Sequence, residues 1–130
     1  MGKKILIVED DMDASLYAST ILEENGYTPI VASDGDKGLK MIKKEMPDLV
    51  ILDIILPKKS GIKVYKEMKT DQAIEGIPVI ILSAIFKKSF DRARVCLNKF
   101  ESGCIPEPGA YLEKPFDPEE LAGEIRRLIG

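Results

Sequence analysis

Apolar residues follow two alternating rhythms along this chain. Lys4–Val8 is a short run rich in Ile and Val, the pattern of a buried strand. Ala14, Tyr17, Ala18, Ile21 and Leu22 then recur at i, i+3, i+4, i+7 and i+8, one face of a helix that Gly26 stops. Thr28–Ala32 is a second strand, and Pro29 suits it to a sheet edge. Ser33 or Asp34 is positioned to cap the next helix, whose Leu39, Ile42 and Met46 share a face and which Pro47 ends. Leu49–Leu52 is wholly apolar and reads as a central strand. Val64, Tyr65 and Met68 mark a third helix after Gly61, and Val79–Leu82 is the fourth strand. Phe90, Ala93, Leu97 and Phe100 mark a fourth helix closed by Gly103, followed by a short strand at Ala110–Leu112. Asp117-Pro118-Glu119-Glu120 supplies an N-cap, a proline at N1 and an acid at N3, opening a last helix whose Leu121, Ile125, Leu128 and Ile129 face inward.

Five β/α units with continuously apolar strands predict an α/β fold, a parallel sheet covered by helices on both faces. Right-handed crossovers leave a doubly wound sheet or a partial barrel, and five units are too few for an eight-fold barrel. In a doubly wound sheet the ligand site lies beyond the C-terminal strand ends, at the switch point.

The predicted strands end in chemistry. The first runs into Glu9-Asp10-Asp11, the third into Asp53, the fourth into Ser83 and the fifth into Glu113 and Lys114. Side by side, these ends bring acids, a hydroxyl and an amine to one point. Carboxylates crowded in this way repel one another, and a hard divalent cation such as magnesium relieves the repulsion. A single acid at a strand end is ordinarily a solvated side chain or a helix cap. For Asp11 that reading weighs as much as a metal role, because Asp11 or Asp13 is placed to cap the first helix. Asp53 directly follows four apolar residues and faces the other acids, so it needs a partner. Lys114 can pair with Asp53 or with a phosphoryl oxygen.

Composition narrows the rest. At 130 residues, 45% hydrophobic and 32% charged, the chain is expected to form one domain over residues 1–130 with a substantial core. A net charge of -3 gives no general attraction to nucleic acid, so direct nucleic-acid binding is not expected. No apolar run is long enough to cross a bilayer and no signal-peptide pattern opens the chain, so the cytoplasm is the expected compartment. Cys96 and Cys104 do not form a framework and read as two reduced thiols, with a regulatory disulfide as the less favoured reading. The absence of histidine removes the usual base of Ser/His, Cys/His and zinc chemistry.

With these residues in place, the chain resembles a known family. Ile-Val-Glu-Asp-Asp at its start, Leu-Asp-Ile-Ile-Leu-Pro-Lys-Lys-Ser-Gly around Asp53, Ile-Leu-Ser-Ala around Ser83 and Tyr-Leu-Glu-Lys-Pro-Phe around Lys114 resemble the receiver domain of two-component response regulators, across essentially the whole chain. The resemblance implies a flavodoxin-like fold with strand order 2-1-3-4-5. It implies that Asp53 accepts a phosphoryl group from a histidine kinase or histidine phosphotransfer protein and then switches binding to a downstream effector. It implies Mg2+ held by Asp10 and Asp53, by Glu9 mainly through water, and by the backbone carbonyl of Ile55. Ser83 matches the switch hydroxyl, Lys114 the phosphate-pairing lysine and Tyr111 the aromatic that turns inward on activation. The implied chemistry is self-phosphorylation and self-dephosphorylation, not that of an enzyme with a separate substrate.

The stretch between Ser83 and Lys114 is longer than the family's usual spacing, and the extra length falls in residues 85–109. That surface commonly carries output or dimer contacts, so an unusual partner geometry is expected, with homodimerisation left open. A receiver module cut from a larger regulator or hybrid kinase is the alternative reading. A magnesium-dependent phosphohydrolase expects a second Asp two residues after its nucleophile, where this chain has Ile55. A flavin carrier of the same fold expects a phosphate cradle after the first strand, where this chain has acids.

Overall fold

The computed structural model describes residues 2–84, 87–92 and 106–130. Its elements are β1 (Lys4–Val8), α1 (Met12–Glu24), β2 (Thr28–Ala32), α2 (Gly35–Glu45), β3 (Leu49–Leu52), α3 (Gly61–Thr70), β4 (Val79–Ser83), a helical stretch at residues 87–92 (α4), β5 (Ala110–Glu113) and α5 (Pro118–Ile129). The strands lie in the order β2-β1-β3-β4-β5 and every neighbouring pair is parallel. This is the doubly wound order that the resemblance implies. Pro29 sits on β2, an edge strand bonded only to β1, where its missing N–H disturbs no second ladder.

Alternation along each strand divides the core between two faces. Leu6, Val8, Val50, Leu52, Val79 and Ile81 pack with α2, α3 and Phe90. Ile5, Ile7, Leu49, Ile51, Ile80 and Leu82 pack with α1 and α5. Because both faces are covered, β1, β3 and β4 read as unbroken apolar runs. Each fully buried Ile or Leu contributes roughly 1.5–3 kcal/mol, so the register of these strands is held firmly by the side chains themselves.

The helix ends follow local chemistry. Asp34 caps α2, its Oδ1 accepting from the Lys37 N–H at 2.8 Å. At α5, Pro118 follows the Asp117 cap and the Glu120 carboxylate accepts from the Asp117 N–H at 3.2 Å. Gly26 follows α1 with a φ of 84°, a left-handed turn that costs glycine little.

Three expectations need correction. Met46 does not join Leu39 and Ile42 inside: it is the left-handed C-cap residue of α2 and is 52% exposed. Tyr17 does not lie in the core with Ala18, Ile21 and Leu22; it is 44% exposed. β4 and β5 each run one residue further than the apolar pattern predicts, because Ser83 pairs with Glu113. Phe90 is buried as expected. Ala93, Cys96, Leu97, Phe100, Gly103 and Cys104 lie outside the described residues, as do Ile85 and most of the lengthened stretch.

Candidate functional site

The register fixes the site. Val8 and Leu52 are paired across β1 and β3, so the residues that follow, Glu9 and Asp53, emerge side by side. Both remain tied to the sheet backbone: the Glu9 N–H donates to the Ala32 carbonyl at 3.0 Å and the Asp53 N–H to the Val8 carbonyl at 3.1 Å. Both are buried, while Asp10 is exposed one residue further on. Carboxylate oxygens of Glu9, Asp10 and Asp53 lie within 4.8 Å of one another.

Lys114 reaches this cluster from the end of β5. Its backbone N–H donates to the Ser83 carbonyl at 2.8 Å, which ties it to the end of β4. Its ammonium lies 2.5 Å from Glu9 Oε1 and 3.2 Å from Asp53 Oδ2. The other Asp53 oxygen, Oδ1, accepts from the Ile55 N–H at 3.1 Å. Asp53 is thereby held through both oxygens, by a charge on one and a backbone donor on the other.

Gly61, at the start of α3, explains the spacing that follows Asp53. Its N–H donates to the Ile54 carbonyl at 2.8 Å. A Cβ there would stand 1.9 Å from the Asp53 carbonyl oxygen and 2.6 Å from the Ile54 Cα. Only a residue without a side chain lets α3 approach the loop this closely.

Burial and neighbouring charge shape the titration. Burial pushes the Glu9 carboxyl up from 4.5 to about 7; the Lys114 hydrogen bond opposes this and Asp53 reinforces it. For Lys114, burial pulls the ammonium down, but the hydrogen bond to Glu9 and the charge of Asp53 outweigh it and leave the group above its ordinary value. Tyr111 is raised, first by burial, with a hydrogen bond to Ser83 offsetting part of the rise.

Ser83 is buried at the end of β4 and shares a side-chain hydrogen bond with Tyr111. The Tyr111 ring packs on Phe90 at 5.3 Å, and Phe90 meets Tyr65 edge-on at 6.2 Å. The Tyr65 hydroxyl donates to the Pro106 carbonyl at 2.8 Å.

The structure thus brings together Glu9, Asp10, Asp53 and Lys114, with Ser83 and Tyr111 behind them. Asp11 stays apart: it occupies the N-cap position of α1, but its side chain makes no capping hydrogen bond. Ile55 meets Asp53 through its amide, and its side chain is 61% exposed. Two features escaped the sequence reading. One is the Glu9–Lys114 contact, which no local pattern encodes. The other is the packing of Tyr17 on Phe116, with ring centroids 5.7 Å apart and the Tyr17 hydroxyl donating to the Phe116 carbonyl at 3.3 Å. The proline after Lys114 follows a cis peptide bond.

Three carboxylates offering only oxygen suit a hard cation, and the group could bind a metal. Residues 5–126 match the family described as the response regulator receiver domain. The chain belongs to this family. The receiver domain is 34% identical over 129 residues to the phosphate regulon transcriptional regulatory protein PhoB of Escherichia coli (strain K12), a match that covers 99% of this chain and 52% of that protein. The chain therefore spans about half the length of the curated relatives it matches. The Francisella response regulator 1452 receiver domain superposes with a TM-score of 0.77 at 29% identity, covering 98% of this chain and 96% of that one. Vibrio cholerae chemotaxis protein CheY4 shares the fold, with a TM-score of 0.81 at 23% identity and coverage of 99% and 100%. This is a receiver domain of two-component signal transduction. Among its described residues, no helix is long and apolar enough to cross a membrane.

Proposed function

We propose that this receiver domain is a phosphorylation switch in which Asp53 takes a phosphoryl group from a phosphohistidine of a histidine kinase or histidine phosphotransfer protein. The observation that carries the reading is the convergence of the Lys114 ammonium on Glu9 and Asp53, at 2.5 and 3.2 Å, with Asp10 in the same cluster. An Asp53 carboxylate oxygen attacks phosphorus, an O–P bond forms, and the N–P bond of the donor breaks with its electron pair leaving on the imidazole. Lys114 offers its ammonium to a phosphoryl oxygen, a fixed charge where negative charge gathers. The Ile55 N–H holds the second carboxylate oxygen and keeps Asp53 in one orientation.

The donor set fits Mg2+ held by Glu9, Asp10 and Asp53, with the Ile55 carbonyl as a further ligand by family resemblance. When bound, Mg2+ neutralises charge on the transferring group. The change of charge at Asp53 is then read through Ser83 and Tyr111 by a downstream effector. The chemistry is confined to the protein's own side chain, gained from a phosphodonor and lost to water, in the cytoplasm. PhoB is named for transcriptional regulation, so an output of that kind suits this chain as part of a regulatory system.

Mass spectrometry after incubation with acetyl phosphate and Mg2+ tests the reading. One phosphoryl mass is expected on the parent and none on Asp53→Asn. Equal labelling of that variant would remove Asp53 from the role.

A further inference from the structure

α1 covers the sheet with small side chains near its start. Ala14 and Ala18 lie one turn apart, and the Tyr17 ring between them in sequence turns outward to Phe116. The space that larger residues would fill is a cavity of about 390 Å3. Sheet residues Ile7, Ile51 and Leu82 line it, Tyr17 and Phe116 bound it, and its polar end is formed by Glu9, Asp53 and Lys114.

We propose that this cavity binds a small, uncharged, planar aromatic molecule and that its occupation slows phosphorylation of Asp53. The volume falls within the range of about 300–1,000 Å3 usual for ligand pockets. Away from the polar end the lining is aliphatic and aromatic, the surface a planar apolar guest can cover. Two aromatic rings at the boundary give a guest ring edge-on or offset partners. Charge selects against the other ligand classes. At the polar end one ammonium already serves two carboxylates, and Asp10 adds a third acid within 4.8 Å. Without a metal ion an anion would meet net repulsion there and with one it would contend with the phosphodonor for the same charges, while a cation would compete with the metal ion for the same oxygens. The Tyr17 hydroxyl is already engaged with the Phe116 carbonyl, so the aromatic end asks for no polar group. Lys114, Pro115 and Phe116 are consecutive and all line the cavity. A ring packed against them holds Lys114 on Glu9 and narrows the approach to Asp53.

Indole is the probe. Titrated into the whole chain, it should give saturable amide NMR shifts at Ala14, Ala18 and Phe116, and none at Val31 or Met46. Ala18→Leu, which pushes three more carbons into the cavity, should weaken indole binding severalfold while acetyl phosphate still labels Asp53. Should that variant fail to fold, Tyr17→Ala removes one bounding ring and must weaken indole binding severalfold. Scattered, non-saturating shifts, or undiminished binding by the folded variant, would overturn the site. At saturating indole the parent should be labelled severalfold more slowly, and an unchanged rate would overturn the inhibition. The inhibition rests on Asp53 as the acceptor, but the binding does not. A chain that binds indole and is never labelled rejects only the acceptor assignment, and one that is labelled but binds no indole rejects only the cavity.

Discussion

Replacing Lys114 with Met keeps most of the side-chain stem and removes the charge that joins Glu9 to Asp53. Two buried carboxylates then face each other without a cation. With oxygens up to 4.8 Å apart, their repulsion is about 3 kcal/mol at an effective dielectric of about 20. The two lost charge-assisted hydrogen bonds, at 2.5 and 3.2 Å, carry energy of the same order and overlap with that figure rather than adding to it. Protonation of Glu9 limits the loss. Its carboxyl is already raised from 4.5 to about 7, so the folded parent binds that proton more tightly than the unfolded chain does. This contribution is therefore most favourable at low pH and fades as pH rises between the two values, the reverse of an ordinary paired carboxylate. Without the ammonium the Glu9 carboxyl rises further. Urea unfolding without Mg2+ should then show a loss of about 3 kcal/mol near pH 8.5 and only about 1 kcal/mol near pH 5.5, where Glu9 is neutral. Added Mg2+ should restore much of the deficit at the higher pH by binding only the folded chain. An equal loss at both pH values, or the larger loss in acid, would refute the electrostatic account.

Gly61→Ala should lower stability by about 1–3 kcal/mol in chemical denaturation, because its Cβ meets the Asp53 carbonyl at 1.9 Å. Helix propensity alone expects a gain of up to about 1 kcal/mol from the same change, so a more stable variant would show that the loop moves aside freely. Tyr65→Phe should cost about 1 kcal/mol by freeing the Pro106 carbonyl, read as a lower melting temperature. Ile55→Asn should shorten the lifetime of the phosphorylated form, since a polar side chain beside Asp53 can orient a water where Ile cannot. Equal or slower decay in that variant would remove position 55 from control of the lifetime.

The sheet was legible because Ile5–Val8 of β1, all of β3 and Val79–Leu82 of β4 are buried apolar runs, so the acids and the hydroxyl stood out where each run stopped, and Lys114 where the shorter β5 ended. Strand order then required little more than the crossover rule and the family resemblance. Periodicity was weaker where position along an element matters as much as direction. Met46 keeps the helical spacing of Leu39 and Ile42, but the backbone turns left-handed at that residue and carries it out to solvent. Tyr17 points towards the sheet by spacing, yet it lies near the open end of α1, where its ring finds Phe116 instead of core. The Glu9–Lys114 pair was hidden for a different reason. β1 and β5 have two strands between them, and only the long lysine stem closes that distance. The spacing from Asp53 to Gly61 was visible as a pattern, but its cause is a backbone approach that exists only once α3 has packed.

Ser83 links the reactive end of the site to the rest of the molecule. Its carbonyl holds the backbone of Lys114, and its hydroxyl shares a hydrogen bond with Tyr111. A hydroxyl has one hydrogen to donate. If Ser83 gives that hydrogen to a phosphoryl oxygen on Asp53, it can no longer give it to Tyr111, and the bond the two hydroxyls share must be remade. The Tyr111 ring is packed on Phe90, Phe90 on Tyr65, and Tyr65 is bonded to Pro106, so a shift at Tyr111 is met by side chains already in contact. This route leads from the end of β4 to Pro106, in the stretch before β5. A charge gained at Asp53 would therefore be felt as far as Pro106, through side chains in contact from one end of the route to the other.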